Sequence, residues 1–272
     1  MQSDSSSDVC LLCDLGNSYI KVALGTGPRP VAGELETMLA WPHGGATKPN
    51  TWWPLWSALD ARGLKPARIS LSSVAAPRVR DSLLAAFQNA GYASVHVNPN
   101  PGLELRIRHP ETAGLDRLYA ARAAFEMFGG KDMIVVDAGT ALTVDVVVPG
   151  SLSGSAAFLG GSIAPGPDML ARALGAGGAQ LHQIEPAPHA KALGKETRDA
   201  LVSGVVVGFE GAALHLVQRL AEEAELHEPT VVLTGGASEY LSRILARPGW
   251  ELILEPSLVL AGLWLAAGKS ST

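Results

Sequence analysis

The sequence has 272 residues, of which 47% are hydrophobic and 17% are charged. This composition is typical of a folded globular protein and excludes an intrinsically disordered chain. The formal net charge of -5 argues against a nucleic-acid-binding protein, which needs a basic face to neutralise phosphates.

The N-terminus and the most apolar stretches indicate neither a signal peptide nor a membrane span. The first eight residues, MQSDSSSD, lack a positive and an apolar region, so we interpret them as a short disordered leader. Asp137, Asp145 and Glu255 interrupt the apolar stretches well before the ~20 residues that a span needs. No transmembrane helix is therefore predicted.

The two cysteines, Cys10 and Cys13, have a C-x-x-C spacing. They lie in a predicted strand, where residues three apart point to opposite faces, and no second pair completes a metal site. We therefore expect two buried structural cysteines and a cytoplasmic protein.

The elements that follow alternate between strands and helices. After a first predicted hairpin, a proline-rich segment is expected to be irregular. Buried strands are predicted at residues 68–74 and 94–97, and helices at residues 78–90 and 115–128, each ending at glycine. Strands over 134–148 open the second half. The segment FLGGSIAPGPDMLARAL predicts a strand, a glycine turn and a helix. Further predictions are a helix at 197–224, a strand at 230–234, another helix, and a final apolar helix at 256–267.

Two segments of similar sequence lie nearly half the chain apart. They are LLCDLGNSYIKVAL from Leu11 and IVVDAGTALTVDVV from Ile134. Aligned without gaps, they superimpose three pairs of residues: Asp14 with Asp137, Gly16 with Gly139, and Asn17 with Thr140. Apolar runs flank a glycine turn in both, so each predicts a β-hairpin. The duplication indicates an α/β protein of two related domains, residues 9–130 and 131–272, with a cleft between them.

The first hairpin carries residues suited to a nucleotide triphosphate and its Mg²⁺. Asp14 ends a buried strand, where a carboxylate is costly unless it meets a cation or donors. Gly16 lets the backbone approach a phosphate closely, Asn17 and Ser18 add short polar groups, and Lys21 adds positive charge. A polar hairpin tip with an Asx-turn is the alternative, and the second copy of the motif argues against it.

The second hairpin repeats this chemistry. Thr140 and Thr143 are candidate phosphate donors. Asp137 and Asp145 are candidate cation ligands, because hard cations prefer oxygen.

A third group, Gly114-Leu115-Asp116-Arg117, opens a predicted helix. Asp116 can act as a general base on a substrate hydroxyl, and Arg117 can bind a carboxylate through two donors in a fixed fork. The alternative is a first-turn Asp favoured by the helix dipole, beside a solvated Arg.

The two hairpins and the segment from Thr234 to Ala237 resemble the phosphate and adenosine motifs of the actin, sugar-kinase and Hsp70 superfamily. Across residues 11–263 the combination resembles the type III pantothenate kinases. The matching strings are DLGNSYIK, GLDR, DAGTALTVD, GGSIAPG from Gly160, GKET from Gly194, and PSLVLAGL from Pro256.

The resemblance implies duplicated ribonuclease H-like domains of the actin-like ATPase type and phosphorylation of pantothenate by ATP with Mg²⁺. The product would be 4'-phosphopantothenate, the first intermediate on the way to coenzyme A. It also implies a homodimer with no nucleic-acid or membrane partner. Asp116 would accept the proton, and Asp137 would ligate potassium or ammonium. The implied ATP contacts are Asp14, Leu15, Gly16, Asn17, Ser18, Tyr19, Ile20, Lys21 and Thr140. The implied pantothenate contacts are Gly114, Leu115, Asp116, Arg117 and Thr197.

Three points stay open on the sequence. Ile107 stands where the family often has a tyrosine that touches pantothenate, and His109-Pro110 replaces the usual Asn-Pro, so the pocket is lined differently or the substrate is altered. GGSIAPG is compatible with a plain turn and with a substrate loop. The functional alternatives are another small-molecule kinase of the superfamily and a non-catalytic nucleotide-binding regulator.

Overall fold

The computed structural model describes residues 9–27, 29–46, 48, 50–92, 94–177 and 183–268, so the expected leader, residues 1–8, lies outside the described residues. In chain order the elements are β1 (Cys10–Leu15), β2 (Tyr19–Gly25), β3 (Thr37–Pro42), α1 (Trp53–Asp60), β4 (Arg68–Ser73), α2 (Pro77–Asn89), β5 (His96–Val97), β6 (Glu104–Leu105), α3 (Leu115–Met127), β7 (Met133–Ala138), β8 (Ala141–Pro149), β9 (Ala156–Pro165), α4 (Pro167–Gly177), α5 (Thr197–Glu223), β10 (Thr230–Thr234), α6 (Ser238–Leu245), β11 (Glu251–Leu254) and α7 (Leu258–Ala267).

Two sheets that share a five-stranded topology confirm the duplication, and the second has β6 as an additional edge strand. The first has the order β3-β2-β1-β4-β5, and the second has the order β11-β10-β7-β8-β9-β6. In the first, β1–β2 and β2–β3 are antiparallel, while β1–β4 and β4–β5 are parallel. In the second, β7–β8 and β8–β9 are antiparallel, while β7–β10 and β10–β11 are parallel. The chain therefore has the two-domain α/β fold of actin-like kinases.

The residue contacts divide the described chain into two compact units made of separate stretches. The first unit is the chain up to Leu103, His109–Phe128 and the chain from Ser257, and the second is Glu104–Arg108 with Gly129–Pro256. The C-terminal helix α7 joins the first unit because it packs on α3, where Gly262 allows the two helices to meet. A Cβ at Gly262 would overlap the Tyr119 carbonyl oxygen. The domain boundary near residue 130 stays a proposal. The compact units are divided differently, because residues 104–108 belong to the second unit and the chain from Ser257 belongs to the first.

Each unit is built around its central hairpin strand. Every residue of β1 is buried, which is typical of a strand covered on both faces. Cys10 and Cys13 are free thiols within it, and burial raises the pKa of both above the ordinary value. In the second unit, α5 lays Phe209, Ala213 and Val217 into the core formed with β7 and β10.

The structure corrects two expectations about local elements. The proline-rich segment is not irregular throughout, because β3 and α1 lie within it. The plain turn considered for the glycine pair of GGSIAPG does not occur, because β9 runs through Gly160 and Gly161, and the predicted turn before α4 falls at Gly166. A Cβ at Gly161 would overlap the Val144 carbonyl of the neighbouring strand, so the pair serves close strand contact and not a turn.

Helix α5 is long and apolar enough to cross a membrane by length and composition, with a mean hydropathy of 1.8 and 33% of that window buried. No such helix was predicted from the sequence. Core helices of folded domains meet the same criterion. Helix α5 is such a helix on its inner face, where Phe209, Ala213 and Val217 are part of the hydrophobic core of the second unit.

Candidate active site

The first hairpin places Asp14 beside basic and hydroxyl side chains. Asp14 is 9% exposed. It pairs across β1–β2 with Lys21 and across β1–β4 with the fully buried Ser72. The turn closes through the Gly16 amide, which donates to the Tyr19 carbonyl at 2.9 Å. A carboxylate is thereby fixed at the end of a rigid central strand.

The residues expected to contact ATP in this hairpin fall into two groups. The side chains of Leu15 and Ile20 are fully buried in the core of the first unit, so they offer a ligand only their backbone. Asn17 and Tyr19 are exposed, while Ser18 is half-buried, as are Gly16 and Lys21. The turn of the hairpin, together with the half-buried Lys21 on β2, therefore carries the groups available to a phosphate.

The Gly-Leu-Asp-Arg group lies at the N-terminus of α3, as predicted. Gly114 is the N-cap, Leu115 is the first helical residue, and Asp116 lies in the first turn. Asp116 Oδ1 accepts the Arg117 amide at 2.9 Å. A Cβ at Gly114 would lie only 2.6 Å from the same oxygen. The absence of a side chain at Gly114 is what permits this position of the carboxylate, which also gains from the helix dipole.

Helix α3 is anchored in the first unit through Tyr119 and Arg122. The Tyr119 hydroxyl donates to the Pro99 carbonyl at 2.5 Å, and Arg122 Nη1 donates to the Pro101 carbonyl at 2.7 Å. Burial, with a further contribution from the Asp14 carboxylate, raises the pKa of Tyr119 above its ordinary value. The acidic hairpin and the helix that bears Asp116 are thus parts of one packed unit.

The second hairpin pairs its strands in the same antiparallel way as the first, with a turn that is one residue shorter. Asp137 pairs with Thr143 across β7–β8, and the Gly139 amide donates to the Ala141 carbonyl at 2.9 Å. Thr140 is exposed at the turn, and Asp145 is 1% exposed within β8. Asp137, Thr140 and Thr143 are therefore the members available to a ligand, while Asp145 belongs to the interior of the sheet.

Two glycine segments close around the second turn. The Gly166 amide donates to the Thr140 carbonyl at 3.1 Å, and the Ala237 amide donates to the Ala138 carbonyl at 2.8 Å. A Cβ at Gly166 would overlap the Gly139 carbonyl, and one at Gly235 would overlap both Ala138 and the Asp137 carboxylate. The predicted adenosine motif, Pro165-Gly166 and the second hairpin therefore form one cradle of backbone groups in the second unit. These hydrogen bonds fix the backbone around the Asp137 carboxylate and around Thr140.

The acidic side chains do not form a preassembled metal cage. Over the described ranges, no group of three or more His, Cys, Asp or Glu residues could hold a metal ion. A cation at Asp137 would need other oxygen ligands, such as carbonyls, hydroxyls or phosphate. The residues fit that requirement, because Gly235 leaves room beside the Asp137 carboxylate and the Ala138 carbonyl lies next to it.

Ile107 and the GGSIAPG segment lie together in the second unit. Strand β6 pairs with β9, and the Arg106 amide donates to the Phe158 carbonyl at 2.9 Å. Ile107 Cγ2 would be 3.3 Å from a Cβ at Gly160, which has a φ of 103°. The departure from the family pattern at Ile107 therefore lies beside the glycine pair.

Thr197 is the first residue of α5 and is exposed. Gly194 allows the preceding loop to pack on that helix, since a Cβ there would overlap the Ala200 amide. Ser203 Oγ donates to the Ala192 carbonyl at 2.7 Å and holds the loop from the other side. Thr197 thus lies at the N-terminus of a helix whose preceding loop is held in place by these contacts.

One residue of this site was missed in the sequence. His43 follows β3, is 4% exposed, and contacts the turn of the first hairpin through Gly16 and Ser18. A lone histidine before Gly44-Gly45 carries no spacing signal, so only the fold reveals it.

Comparison with known proteins adds an independent observation. A family model described as type III pantothenate kinase matches residues 10–219. A type III pantothenate kinase of Thermomicrobium roseum is 31% identical over 263 residues, covering 93% of this chain and 94% of that protein. Another from Streptomyces coelicolor is 40% identical over 166 residues, covering 60% and 59%.

A solved structure supports the fold. The activator of the 2-hydroxyisocaproyl-CoA dehydratase from Clostridium difficile, determined with bound ADPNP, has a TM-score of 0.52. The alignment covers 96% of this chain and 94% of that one at 13% identity. At this identity the likeness concerns the fold alone.

Proposed function

The chain belongs to the type III pantothenate kinase family, and we propose that it phosphorylates pantothenate with ATP to give 4'-phosphopantothenate, the first step of coenzyme A biosynthesis. The observation that carries this proposal is the position of Asp116. Its carboxylate is held in the first turn of α3 by the Arg117 amide, over a glycine that leaves it room.

In the proposed reaction Asp116 acts on the acceptor hydroxyl. Its carboxylate accepts the hydroxyl proton while the hydroxyl oxygen attacks the γ-phosphorus of ATP. The new O–P bond forms as the bond to the β,γ-bridging oxygen breaks, and ADP leaves. Because phosphoryl transfer needs little covalent help from the protein, rate comes from positioning and from stabilising charge.

We assign the phosphates of ATP to the glycine turns. The residues Asp14 to Lys21 contribute mainly through the turn from Gly16 to Ser18, whose groups are accessible. Thr140 supplies a hydroxyl in the second unit, on a turn held by Gly166 and the segment Gly235 to Ala237. In this placement the Asn17 amide and the Thr140 hydroxyl would donate to phosphate oxygens.

We propose that Mg²⁺ and a monovalent cation, potassium or ammonium, take part. Asp137 would ligate the monovalent ion with neighbouring carbonyl oxygens. Bound cations of this kind neutralise charge on phosphate oxygens.

Pantothenate carries a carboxylate, and this favours Arg117 as its partner through a two-donor contact. Gly114 and Leu115 would shape the same site by position in the N-terminal turn of α3, and Thr197 would add a hydroxyl. We also propose Ile107 as a pantothenate contact, with an apolar side chain where the family often has a tyrosine.

We further propose a cytoplasmic homodimer without nucleic-acid or membrane partners. The formal charge of -5 supports the exclusion of nucleic acid, since no overall basic character favours phosphate backbones.

A substrate panel tests this function. The purified protein would be assayed with ATP and Mg²⁺ on pantothenate, a sugar and a simple hydroxy acid, each with potassium, ammonium or sodium. We expect turnover with pantothenate only, and more with potassium or ammonium. Asp116→Asn should lose most turnover while Asp81→Asn, which alters an exposed helical aspartate, should not. Turnover of the sugar alone would show that the substrate is a sugar and not pantothenate. Full activity of Asp116→Asn would refute the role of Asp116 as the general base.

A further inference from the structure

His43 makes hydrogen bonds that fix the turn of the first hairpin. Its Nε2 lies 3.0 Å from the Gly16 carbonyl oxygen, and its backbone amide donates to the Ser18 carbonyl at 3.2 Å. Its Nδ1 accepts the Gly45 amide at 3.1 Å. One buried side chain thus connects the candidate phosphate turn to the loop that follows β3.

These contacts determine the tautomer of the ring. Nδ1 accepts a backbone N–H, so it carries no hydrogen of its own. The Gly16 carbonyl can only accept, so Nε2 must carry the hydrogen and donate it. Both ring nitrogens of His43 are therefore engaged in hydrogen bonds to the backbone.

The surrounding residues hold the ring in place. Trp52 lies beside it with ring centroids 6.5 Å apart, and the Trp52 indole N–H donates to Ser82 Oγ on α2 at 3.0 Å. Gly44 and Gly45 have φ values of 55° and 71°, which glycine adopts without strain, and they bring the Gly45 amide back onto the ring. The ring cannot reorient without disturbing this packing.

The bond to Gly16 has a consequence on the far side of the turn. The Gly16 carbonyl and the Asn17 amide belong to one planar peptide, and the described chain contains no cis peptide bond. In a trans peptide the C=O and the next N–H point in opposite directions. A carbonyl held toward His43 therefore directs the Asn17 N–H away from it.

We propose that His43 is a positioning residue for nucleotide binding, which orients the Asn17 amide as a donor to a phosphate oxygen of ATP. This inference rests on the proposed function of the hairpin as a phosphate site. It assigns His43 no contact with the nucleotide and no proton transfer. Its effect is the fixed direction of one backbone donor, the kind of preorganisation that favours phosphate binding without a new charge.

Two substitutions remove the hydrogen bonds of Nε2 and Nδ1 one at a time. In His43→Gln the side-chain amide reaches the position of Nε2 and can still donate to the Gly16 carbonyl. In His43→Asn the shorter side chain reaches the position of Nδ1 and can still accept from Gly45. Each variant loses one hydrogen bond and part of the ring packing, so the two should melt at similar temperatures, whereas only one keeps the contact with the phosphate turn.

The experiment measures the KM for ATP and for pantothenate, the kcat, and the Kd of a non-hydrolysable ATP analogue by calorimetry. We expect His43→Asn to raise the KM for ATP and the analogue Kd by about five- to tenfold, the effect of one well-placed hydrogen bond. His43→Gln should stay within about twofold of wild type, and neither should change the KM for pantothenate.

Equal Kd values for the two variants would overturn the role of His43. Losses of analogue affinity that parallel the decreases in melting temperature would overturn it as well. If the wild type binds the analogue and does not phosphorylate pantothenate, the proposed substrate fails, and the two Kd values still decide the role of His43. If the wild type binds no analogue, both proposals fail.

Discussion

Substitution of Gly114 by alanine tests the geometry of the candidate base without touching its chemistry. A Cβ at this position would lie 2.6 Å from Asp116 Oδ1, whereas ordinary contact begins at 3.4 Å. The carboxylate would have to retreat by about 0.8 Å, and the 2.9 Å bond from the Arg117 amide would stretch or break.

The expected effect falls on catalysis more than on folding. Gly114 has a φ of -61°, which alanine adopts readily, so the backbone is not strained. Loss of glycine at an N-cap costs about 1 kcal/mol or less of stability. A misplacement of about 1 Å at a reacting group can cost about 100-fold in rate. We therefore expect kcat to fall by one to two orders of magnitude, with the KM for ATP nearly unchanged.

The assay is steady-state kinetics of Gly114→Ala beside thermal melting. Gly211→Ala is the matched control, because it lies in the interior of α5 with nothing within 4 Å of the added methyl group. The control should keep full activity and gain up to about 1 kcal/mol of stability. A kcat within about twofold of wild type for Gly114→Ala would refute the account of how Asp116 is positioned.

Three further substitutions test the packing of α7, the second hairpin and one ion pair. Gly262→Ala should destabilise the protein by about 3 kcal/mol or more in urea titration, since the methyl group would overlap the α3 backbone, and unchanged stability would contradict that packing. Gly235→Ala should weaken binding of an ATP analogue, because it combines a φ of 92° with overlap on the second hairpin, while Gly236→Ala, with open space around it, should not; equal Kd values would argue against the cradle. Hydrogen bonds from Arg106 and the Ser151 amide lower the pKa of Glu104 from 4.5 to about 2, so its carboxylate stabilises the fold above pH 4.5 and loses that effect as pH falls toward 2. Glu104→Gln should therefore lower the melting temperature at pH 7 and not near pH 2, and an equal effect at both would contradict the ion pair.

Elements with a local pattern could be predicted from the sequence. The apolar run of β1, the glycine stops after α2 and α3, and the strand β10 at Thr230–Thr234 all lie where the residues indicated. The two hairpins were recognisable because the same spacing occurs twice. Strand β3 was missed because its burial is mixed and it lies among prolines, with no clean alternation to mark it.

What the sequence could not supply are contacts between distant residues. GGSIAPG was compatible with a plain turn and with a substrate loop, yet its first two glycines lie inside β9, close against the neighbouring strand. His43 contacts a turn 27 positions away, and that hydrogen bond exists only once β2 and β3 have paired. Gly114 is a similar case, because its lack of a side chain matters only once the Asp116 carboxylate occupies the space beside it.

The most direct test of the account follows the labelled phosphate itself. The purified protein would be incubated with pantothenate and ATP labelled in the γ-phosphate, with potassium present, beside Asp116→Asn. The account predicts transfer of the label to pantothenate by the wild type and near-complete loss of transfer by a folded Asp116→Asn protein. Absence of labelled product from the wild type, or undiminished transfer by the variant, would contradict it.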